Sequence, residues 1–342
     1  MFPVQIPVIN PYDFSRCEDR RQAADPRKSL SPIQKTDAAL KESIYHAFWK
    51  DDVLRAIEYD EIDVHVKNGV VYLSGHIVNT TSQSRITNAI GSIPGILGIQ
   101  NNLVLDDQLT REVAASLGNL EHIYGCKFFT GASHGVVSMG GVVRDATVKL
   151  LAEKQAARNP NVRGVINHVR VSGVNKPGWK EQPFLQPTIG ETMYFLNGIS
   201  GIVKQVIIDP NNRRVIAMTL QGNFTDRRYE IHLLTDGKTP PPEQLIVVPM
   251  NEVRYLTRVS GFLHINSDER NRYIDFSSAS FGVPNVAWVP PYPYCPADVL
   301  FPVEQLDREN HSLQQIPSSP LPVASKEQLL WEQLLANESL GG

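Results

Sequence analysis

The sequence predicts an α+β protein made of two tandem α-β-β-α-β repeats, a small all-β barrel and a proline-rich tail that ends in a short helix. The repeats are predicted from a pattern that recurs 66 residues later in the same register. The barrel is predicted from short alternating strands separated by turn sequences, beginning near residue 187. A chain of 342 residues is long enough for two or three domains, each with its own core.

The bulk composition is that of a globular protein and indicates no polyelectrolyte partner. Hydrophobic residues make up 42% of the sequence and charged residues 20%. The 33 basic and 36 acidic residues leave a formal net charge of −3. Binding to nucleic acid by bulk charge is therefore not expected.

The amino terminus and the cysteines predict a cytoplasmic protein. The first residues carry no basic stretch and prolines interrupt any apolar run, so a signal peptide is not expected. No apolar run approaches the roughly 18 residues that a membrane span needs. The odd number and wide spacing of the cysteines fit inert thiols in a reducing compartment: Cys17, Cys126 and Cys295.

The repeat is clearest in a stretch that contains glycines. Residues 68–75 (NGVVYLSG) match residues 134–141 (HGVVSMGG). Without any gap, the same offset superposes three further pairs: Pro94 on Pro160, Gly98 on Gly164, and Asn101 on Asn167. A single register held from the first pair to the last indicates a duplicated structural unit.

Each element of the unit follows from the local sequence of the first copy. Apolar and polar residues alternate across 62–66, which is the period of a half-buried strand. Asn68-Gly69 supplies the positive-φ turn of a tight hairpin, and a second strand follows. A helix with Asn79 as its N-cap ends at Pro94-Gly95, and a third strand runs to Leu105.

A helical stripe of apolar residues also precedes each copy. These two stripes do not superpose at the 66-residue offset, so a small insertion is expected between them. They consist of Leu40, Ile44, Ala47 and Phe48 in the first copy, and of Leu109, Val113, Leu117 and Leu120 in the second.

The run from the leading helix through NGVVYLSG to IPGILGIQNNLVL resembles the BON domain, a small bacterial module. The resemblance covers roughly residues 36–106 and 107–173. It implies a non-enzymatic binding or adaptor module, a type often associated with membranes or envelope components. Many members carry export signals, and none is expected here, which weighs against an envelope role.

A third module is predicted after a linker at residues 174–186. Alternating strands and turn sequences run through GISGIVKQVIIDPNNRRVIAM and, further on, LIVVPMNEV. These segments resemble the PRC-barrel domain over residues 187–265. The resemblance implies a surface for protein contacts and transfers no catalytic residue.

The two ends of the chain are predicted to lie outside these domains. Residues 1–35 form an extension, and residues 266–342 form a proline-rich tail. Within the tail, VPPYPYCP (289–296) is either a strap across its own domain or a peptide ligand for another protein. A capping-box sequence at 325–328 predicts a short amphipathic helix, which either docks internally or binds a second subunit or partner.

One catalytic motif is formally present, since residues 131–135 fit the pattern G-x-S-x-G around Ser133. A nucleophile elbow needs a strand-to-helix turn. The repeat instead aligns this motif with the hairpin turn of the first copy, so its glycines are explained by the turn. His65 and His134 belong to the same hairpins, where an exposed polar side chain is ordinary.

The remaining polar groups also have structural explanations. The acidic pairs Asp60-Glu61 and Asp106-Asp107 are interpreted as caps at element boundaries. Arg213-Arg214 and Arg227-Arg228 form either a basic patch or simply the solvated face of the barrel, and the solvated face is favoured. Two amides in line with apolar strand residues are interpreted as structural latches: Asn101 and Asn167. No catalytic, cofactor-binding or metal-binding residue is assigned, and no ligand-binding residue is identified.

Three functions remain open from the sequence. The leading hypothesis is a non-enzymatic adaptor or scaffold that contacts a protein partner or assembles with other copies of itself. The second is a peripheral protein that binds membrane or envelope lipid. The third, a serine hydrolase that uses Ser133, is disfavoured. No cofactor, nucleic-acid partner or small-molecule substrate is expected.

Overall fold

The computed structural model of the protein describes residues 32–173, 183–224, 242–257 and 260–303. The elements through β16 belong to one compact unit, which ends at Pro302. In chain order they are α1 (Pro32–Lys50), a π-helical turn (Leu54–Glu58), β1 (Ile62–Lys67), β2 (Val70–Ile77), α2 (Thr80–Gly91), β3 (Gly98–Leu105), α3 (Asp106–Tyr124), β4 (Lys127–Ser133), β5 (Val136–Val143), α4 (Ala146–Ala157), β6 (Gly164–Asn167), β7 (Arg170–Val171), β8 (Thr192–Tyr194), β9 (Ser200–Asp209), β10 (Arg214–Gly222), β11 (Gln244–Pro249), a 3-10 turn (Met250–Glu252), β12 (Val253–Leu256), β13 (Ser260–Leu263), β14 (Ile274–Asp275), β15 (Phe281–Gly282), a 3-10 turn (Pro296–Asp298) and β16 (Val299–Pro302).

The two repeats share one topology. In the first, β1 pairs with β2 antiparallel and β2 pairs with β3 parallel. In the second, β5 lies between β4, which is antiparallel, and β6, which is parallel, and β7 extends the β6 side. The helices pack on one face of each sheet. The mixed α+β class is confirmed, and the order of elements agrees with the predicted α-β-β-α-β unit.

The glycines of the repeat have steric reasons. Gly75 and Gly141 occupy equivalent positions on the second strands of the two hairpins, with φ of 123° and 142°. A Cβ at Gly75 would overlap the carbonyl oxygen of Glu61, and one at Gly141 would overlap that of Lys127. The duplicated glycines therefore permit close strand approach, as expected for residues that build a sheet.

The leading helices are also duplicated, but at an offset of 69 residues. Leu40 and Leu109 occupy equivalent core positions, as do Phe48 and Leu117. The predicted insertion is thus three residues long. It lies in the first copy, where the turn 54–58 links α1 to β1, whereas α3 ends at once on Gly125 with φ of 58°.

Each repeat has its own apolar core between its helices and its sheet. A fully buried Leu or Ile side chain contributes about 1.5–3 kcal/mol, so either core is a substantial source of stability. Val104 of β3 packs into the core of the second repeat, so the two cores are in contact through the β3–α3 connection. Fully buried members include Ile44, Phe48, Leu73 and Ile86 in the first core, and Val113, Leu117, Val137 and Met139 in the second.

The third module is a nine-stranded sheet in which the order is β12-β13-β8-β9-β10-β11-β14, with β16 parallel to β9 and β15 beside β16. The predicted strands around 202–208, 215–219 and 245–249 are present as β9, β10 and β11. The predicted closed barrel is not found among the described strands. The described strand order is open, with β12 at one end and β14 at the other: β11 pairs with β10 and β14, while β12 pairs with β13.

Part of the predicted proline-rich tail is folded into this sheet. Residues 274–302, which the sequence predicts as part of a tail outside the domains, contribute β14, β15 and β16. The strap interpretation agrees with residues 289–296: Pro290 and Pro291 are buried, and the Tyr294 hydroxyl, fully buried, donates to the Pro187 carbonyl at 2.8 Å. Three predictions lie outside the described residues: the C-terminal helix at 325–335, the pair Arg227-Arg228, and most of the linker.

Two general expectations are answered by the described residues. No helix among them is both long and apolar enough to cross a membrane. Cys126 is a free thiol, but Cys295 is disulfide-bonded, so the expectation of three inert thiols is wrong for Cys295. Sequence spacing could not reveal this bond because a disulfide depends on the distance between Cα atoms in the fold.

Candidate functional site

Ser133 lies in a hairpin and not in a nucleophile elbow. It is the exposed last residue of β4, pairs with Val136 of β5, and is separated from it by a two-residue turn. That turn has φ of 48° at His134 and 78° at Gly135, the two positive values of a type I′ turn. A strand therefore follows the motif where an elbow would require a helix, as the repeat predicts.

A carboxylate on each leading helix binds the hairpin turn of its own repeat. The Asp106 carboxylate accepts hydrogen bonds from the backbone N–H groups of His134 at 2.6 Å and Gly135 at 2.8 Å. Asp37 accepts the equivalent bonds from residues 68 and 69, both at 2.9 Å. The interpretation of Asp106 as a helix cap is therefore wrong. Burial raises the pKa of Asp106, although the two N–H donors oppose that rise.

Glu61 belongs to a contact between the repeats and does not act as a cap. Its carboxylate pairs with the Arg163 guanidinium at 2.6 Å, and both side chains are mostly buried. Arg163 also donates to the His134 carbonyl at 3.0 Å and to the Gln186 side chain at 2.6 and 2.9 Å. The guanidinium lies 5.5 Å from the ring centroid of Tyr292 in the strap. One arginine thus joins both repeats, the segment before β8 and the strap.

His76 is the second element of this junction. Its side chain is almost fully buried on β2, and its Nε2 lies 2.8 Å from the Asn161 carbonyl of the second repeat. The imidazole packs edge-on against Tyr292, and a Cβ at Gly135 would overlap it. Glu58, also fully buried, accepts a hydrogen bond from the Val78 N–H. The contacts of His76 hold the first repeat against the second, whereas the Glu58 bond lies within the first repeat.

Arg213 corrects the expectation of a solvated basic face. Its side chain is only 2% exposed, and it donates to the carbonyls of Val162 at 2.6 Å, Val289 at 2.8 Å and Pro160 at 3.3 Å. Trp288 covers the guanidinium, with 5.0 Å from its carbon to the ring centroid. Loss of hydration on burial lowers the pKa of Arg213 to about 9.

The burial of Arg213 could not be predicted from the sequence, because it arises where the β9–β10 turn is inserted into the second repeat. The Asn212 carbonyl accepts a hydrogen bond from the Val165 N–H of β6 at 2.8 Å, and the Asn212 side chain donates to Glu153. Arg214, the next residue, is only half-buried and donates to the Pro183 carbonyl at 3.0 Å. A doublet on a predicted turn is ordinarily solvated, and only the packing of one module on another buries its first member.

The two asparagines of the repeat are structural latches. The Asn101 side chain accepts from the Leu103 N–H, and the Asn167 side chain accepts from the Val169 N–H, both at 3.1 Å. Asn167 also donates to the Lys149 carbonyl and to the Glu153 carboxylate of α4. Asn167 thus ties β6 to α4, whereas the Asn101 side chain makes a local bond two residues along its own strand.

The described residues contain no cluster of three side chains that could hold a metal ion. A cavity of about 270 Å³ is bounded by prolines, valines and Trp288, and Asn285 contributes an amide side chain to it. The residues that line this cavity include no acid, base or nucleophile.

The most unusual surface is the outer face of the second repeat's sheet on its β4 side. Phe129 of β4 is 68% exposed and Val142 of β5 is 50% exposed, on the side of the sheet opposite the helices. Gly140 lies opposite Phe129 on β5, Gly131 is the next residue of β4 on the same face, and a Cβ at either glycine would meet open space. We call this set the β4 face.

The first repeat has polar residues where the second has the β4 face. At the 66-residue offset, Asp63 corresponds to Phe129 and His76 to Val142. His76 is buried against the second repeat, and Asp63 is only partly exposed. The duplicated faces have therefore diverged: one is polar and in part used inside the protein, whereas the other is apolar and exposed.

Comparison with known proteins adds a domain assignment to this geometry. The chain contains two matches to the BON domain, at residues 36–107 and 105–173, which supports the tandem BON prediction. The second match begins within β3, so it includes the whole of α3. No curated protein matches the chain.

Among solved structures, the chain is similar to CdsD, a structural protein of the Type III secretion system of Chlamydia trachomatis. The identity is 14%, the match covers 46% of this chain and 75% of that chain, and the TM-score is 0.34. A second structure, of the C-terminal domain of CdsD, gives 14% identity, coverage of 46% and 79%, and a TM-score of 0.33. These TM-scores are too low to support a common fold for the whole region.

Proposed function

We propose that the protein is a non-enzymatic scaffold whose β4 face contacts a protein partner, which can be another copy of the chain. The observation that carries this proposal is the exposure of Phe129 and Val142 on a sheet surface that none of the described helices covers. An exposed aromatic on a flat, glycine-containing sheet is typical of a contact site, since large apolar side chains dominate interface energetics.

Three features support a scaffold. The BON matches indicate a binding module. The junction built by Arg163 and Arg213 holds both repeats and the third module in one fixed arrangement. Ser133, the only residue singled out for catalysis, is explained by its hairpin.

The test is a matched pair of surface variants on the second repeat. We expect Phe129→Ser combined with Val142→Thr to abolish self-association or the retrieval of a protein partner, because it removes the exposed apolar atoms of the β4 face. Leu150→Ser is the control, since Leu150 is 63% exposed on α4 of the same repeat, away from that face. A wild-type chain that is monomeric and retrieves no protein would refute the proposal.

A second candidate function is binding to a membrane surface. BON domains in general bind phospholipid, and this chain contains two of them. The formal net charge of −3 opposes attraction to anionic lipid. Flotation with anionic vesicles at low salt separates the two functions: recovery of the wild-type chain with the vesicles would favour the membrane role.

Two finer assignments remain part of the proposal. We keep the PRC-barrel resemblance of residues 187–265, supported by the fact that β11 and β12, which lie near opposite ends of the sheet path, are consecutive along the chain. The domain limits at 36, 107, 187 and 266 likewise stay predictions. A structure determined by crystallography or NMR tests both.

A cytoplasmic location also remains a proposal. The small number and wide spacing of the cysteines support it, whereas a disulfide at Cys295 is unusual in a reducing compartment. Rapid alkylation of free thiols in cells, followed by quantification of the label, measures whether the Cys295 thiol is free and so decides between a reducing and an oxidising compartment. A labelled Cys295 agrees with the cytoplasm, and a protected Cys295 argues for an oxidising compartment.

A further inference from the structure

We infer that two copies of the chain join edge to edge through β4, antiparallel and centred on Thr130, so that their second-repeat sheets become continuous. This inference deepens the proposed scaffold role and rests on it, since it names both the surface and the partner. It comes from the backbone groups that β4 leaves open, from a comparison with the first repeat, and from the pairing of side chains in such a dimer.

Half of the backbone groups of β4 point away from its own sheet. Ser133 and Val136 flank the two-residue turn and form a hydrogen-bonded pair, so every second residue before Ser133 also bonds to β5. The N–H and C=O groups of Phe128, Thr130 and Ala132 therefore face the free edge. β4 has no strand on that side within the described residues.

The free edge is covered at one end only. Glu121 of α3 accepts a hydrogen bond from the Phe128 N–H at 2.7 Å. No contact of this kind reaches Thr130 or Ala132 from the part of the chain that the structure describes. The opposite side of the sheet is closed, because Val165 of β6 donates to Asn212. A strand can therefore be added to this sheet at β4.

The first repeat closes the same edge. There, the hydroxyl of Tyr45 on α1 accepts a hydrogen bond from the Val64 N–H at 3.2 Å, and Val64 is the counterpart of Thr130. At the 69-residue offset of the leading helices, Ala114 stands in the place of Tyr45. The second copy therefore lacks the side chain that blocks the centre of the edge. Free edges in monomeric proteins are usually protected, so an open one indicates a pairing site.

A second copy of β4 fits this edge better than an unrelated strand would. Pairing centred on Thr130 places Phe129 of each copy opposite Gly131 of the other, so that each aromatic ring covers a glycine. Lys127, the one charged residue of β4, then faces Ser133, and no like charges meet. Each Thr130 exchanges backbone hydrogen bonds with its counterpart, and each Ala132 N–H donates to a Phe128 carbonyl.

Sedimentation velocity of the full chain over a concentration series tests the edge. We expect a dimer, and we expect Thr130→Pro to weaken it at least ten-fold, because proline removes an outward N–H and obstructs pairing without breaking a bond to β5. Leu150→Ser, on the helix side, should leave dimerisation unchanged. Circular dichroism checks that the variants fold, and Phe129→Ser provides a second variant that leaves the backbone intact.

Mixed cysteine cross-linking tests the register. Phe129→Cys and Gly131→Cys, mixed as separate full-length proteins under mild oxidation, should form a disulfide-linked heterodimer. Either variant alone should cross-link no more than the wild type, which carries the native cysteines as background. Equal cross-linking of each variant alone would overturn the register centred on Thr130.

The outcomes separate this inference from the proposed function. A monomer that still retrieves a protein partner through Phe129 overturns the β4 dimer and leaves the scaffold proposal standing. A monomer that retrieves nothing overturns both. A dimer that is unaffected by both Thr130→Pro and Phe129→Ser overturns the edge, because the copies would then join elsewhere.

Discussion

The buried Arg213 should be essential for attaching the third module to the second repeat. Its guanidinium bonds to Pro160 and Val162 of the second repeat and to Val289 of the strap, while its backbone belongs to the turn before β10. Arg213→Met is the sharpest perturbation. Methionine keeps an unbranched apolar chain of similar reach in the cavity but provides no donor.

The size of the effect follows from these contacts. Two of the three hydrogen bonds are short, at 2.6 and 2.8 Å, and each hydrogen bond to a charged group contributes about 1.5–3 kcal/mol. Removing the donor leaves the Val162 and Val289 carbonyls buried and unpaired. Part of this loss is offset because the variant no longer buries a charge, and burial is what lowers the pKa of Arg213 to about 9. We expect a net loss of about 2–4 kcal/mol in the free energy of unfolding.

Urea unfolding, followed by circular dichroism and by tryptophan fluorescence, measures this loss. Trp288 lies on the Arg213 guanidinium, so it adds a local signal to the fluorescence of the chain's four tryptophans. We expect the free energy of unfolding extrapolated to zero urea to fall by about 2–4 kcal/mol, and we expect the fluorescence transition to precede the loss of helix signal. Arg214→Met is the matched control: Arg214 is only half-buried and donates to the Pro183 carbonyl at 3.0 Å, so its replacement should cost less than Arg213→Met.

One result would refute this reasoning. If Arg213→Met is as stable as the wild type while both probes still report a single transition, then the three carbonyls gain nothing from the guanidinium. The buried Arg213 guanidinium would then be tolerated at this position without linking the third module to the second repeat.

Three further predictions concern the repeats. Asp106→Ala should cost about 2–4 kcal/mol, and Asp37→Ala, at the more exposed equivalent position, about half of that; equal losses measured by chemical denaturation would contradict the role of burial. Gly135→Ala should cost more than about 2 kcal/mol, because its φ is positive and a Cβ would overlap His76, and a neutral effect on the unfolding temperature would contradict the tight junction. Burial raises the pKa of Tyr45 to about 12. The stability linked to this group is therefore fully present below about pH 10, and about 2–3 kcal/mol of it is lost as the pH rises through the folded pKa. Urea titrations at about pH 9 and pH 12 should show that the wild type loses about 2–3 kcal/mol more stability over this range than Tyr45→Phe does.

The duplicated unit could be predicted because its determinants are local. Alternating apolar residues, a positive-φ turn at residues 68–69 and a helix cap at Asn79 each act over a few positions, and the structure uses all of them. The hairpin explanation of Ser133 also followed from alignment alone. These features recur at a constant spacing, so each copy supports the interpretation of the other.

The module junction could not be predicted, since its contacts join residues far apart in the sequence. Glu61 meets Arg163 across 102 positions, and Arg213 meets Val289 across 76. Local rules identified a helix cap and a solvated turn at these positions, which is their usual role. The correspondence of Asp37 and Asp106 at an offset of 69 residues could have been predicted, because the mismatch of the leading helices already indicated an insertion.

Duplication shows how the two repeats differ at the equivalent edge strands β1 and β4. The first repeat uses His76 on its outer face for the junction, and Tyr45 closes its edge. The second repeat closes the β6 side with Asn212 but carries alanine where a blocking tyrosine would stand, and its outer face there is apolar. An unused surface would be expected to retain charge on its edge strand, since charge protects against unwanted pairing. The combination of an open backbone edge and an exposed Phe129 is therefore better explained by selection for contact than by neutral drift of a redundant copy.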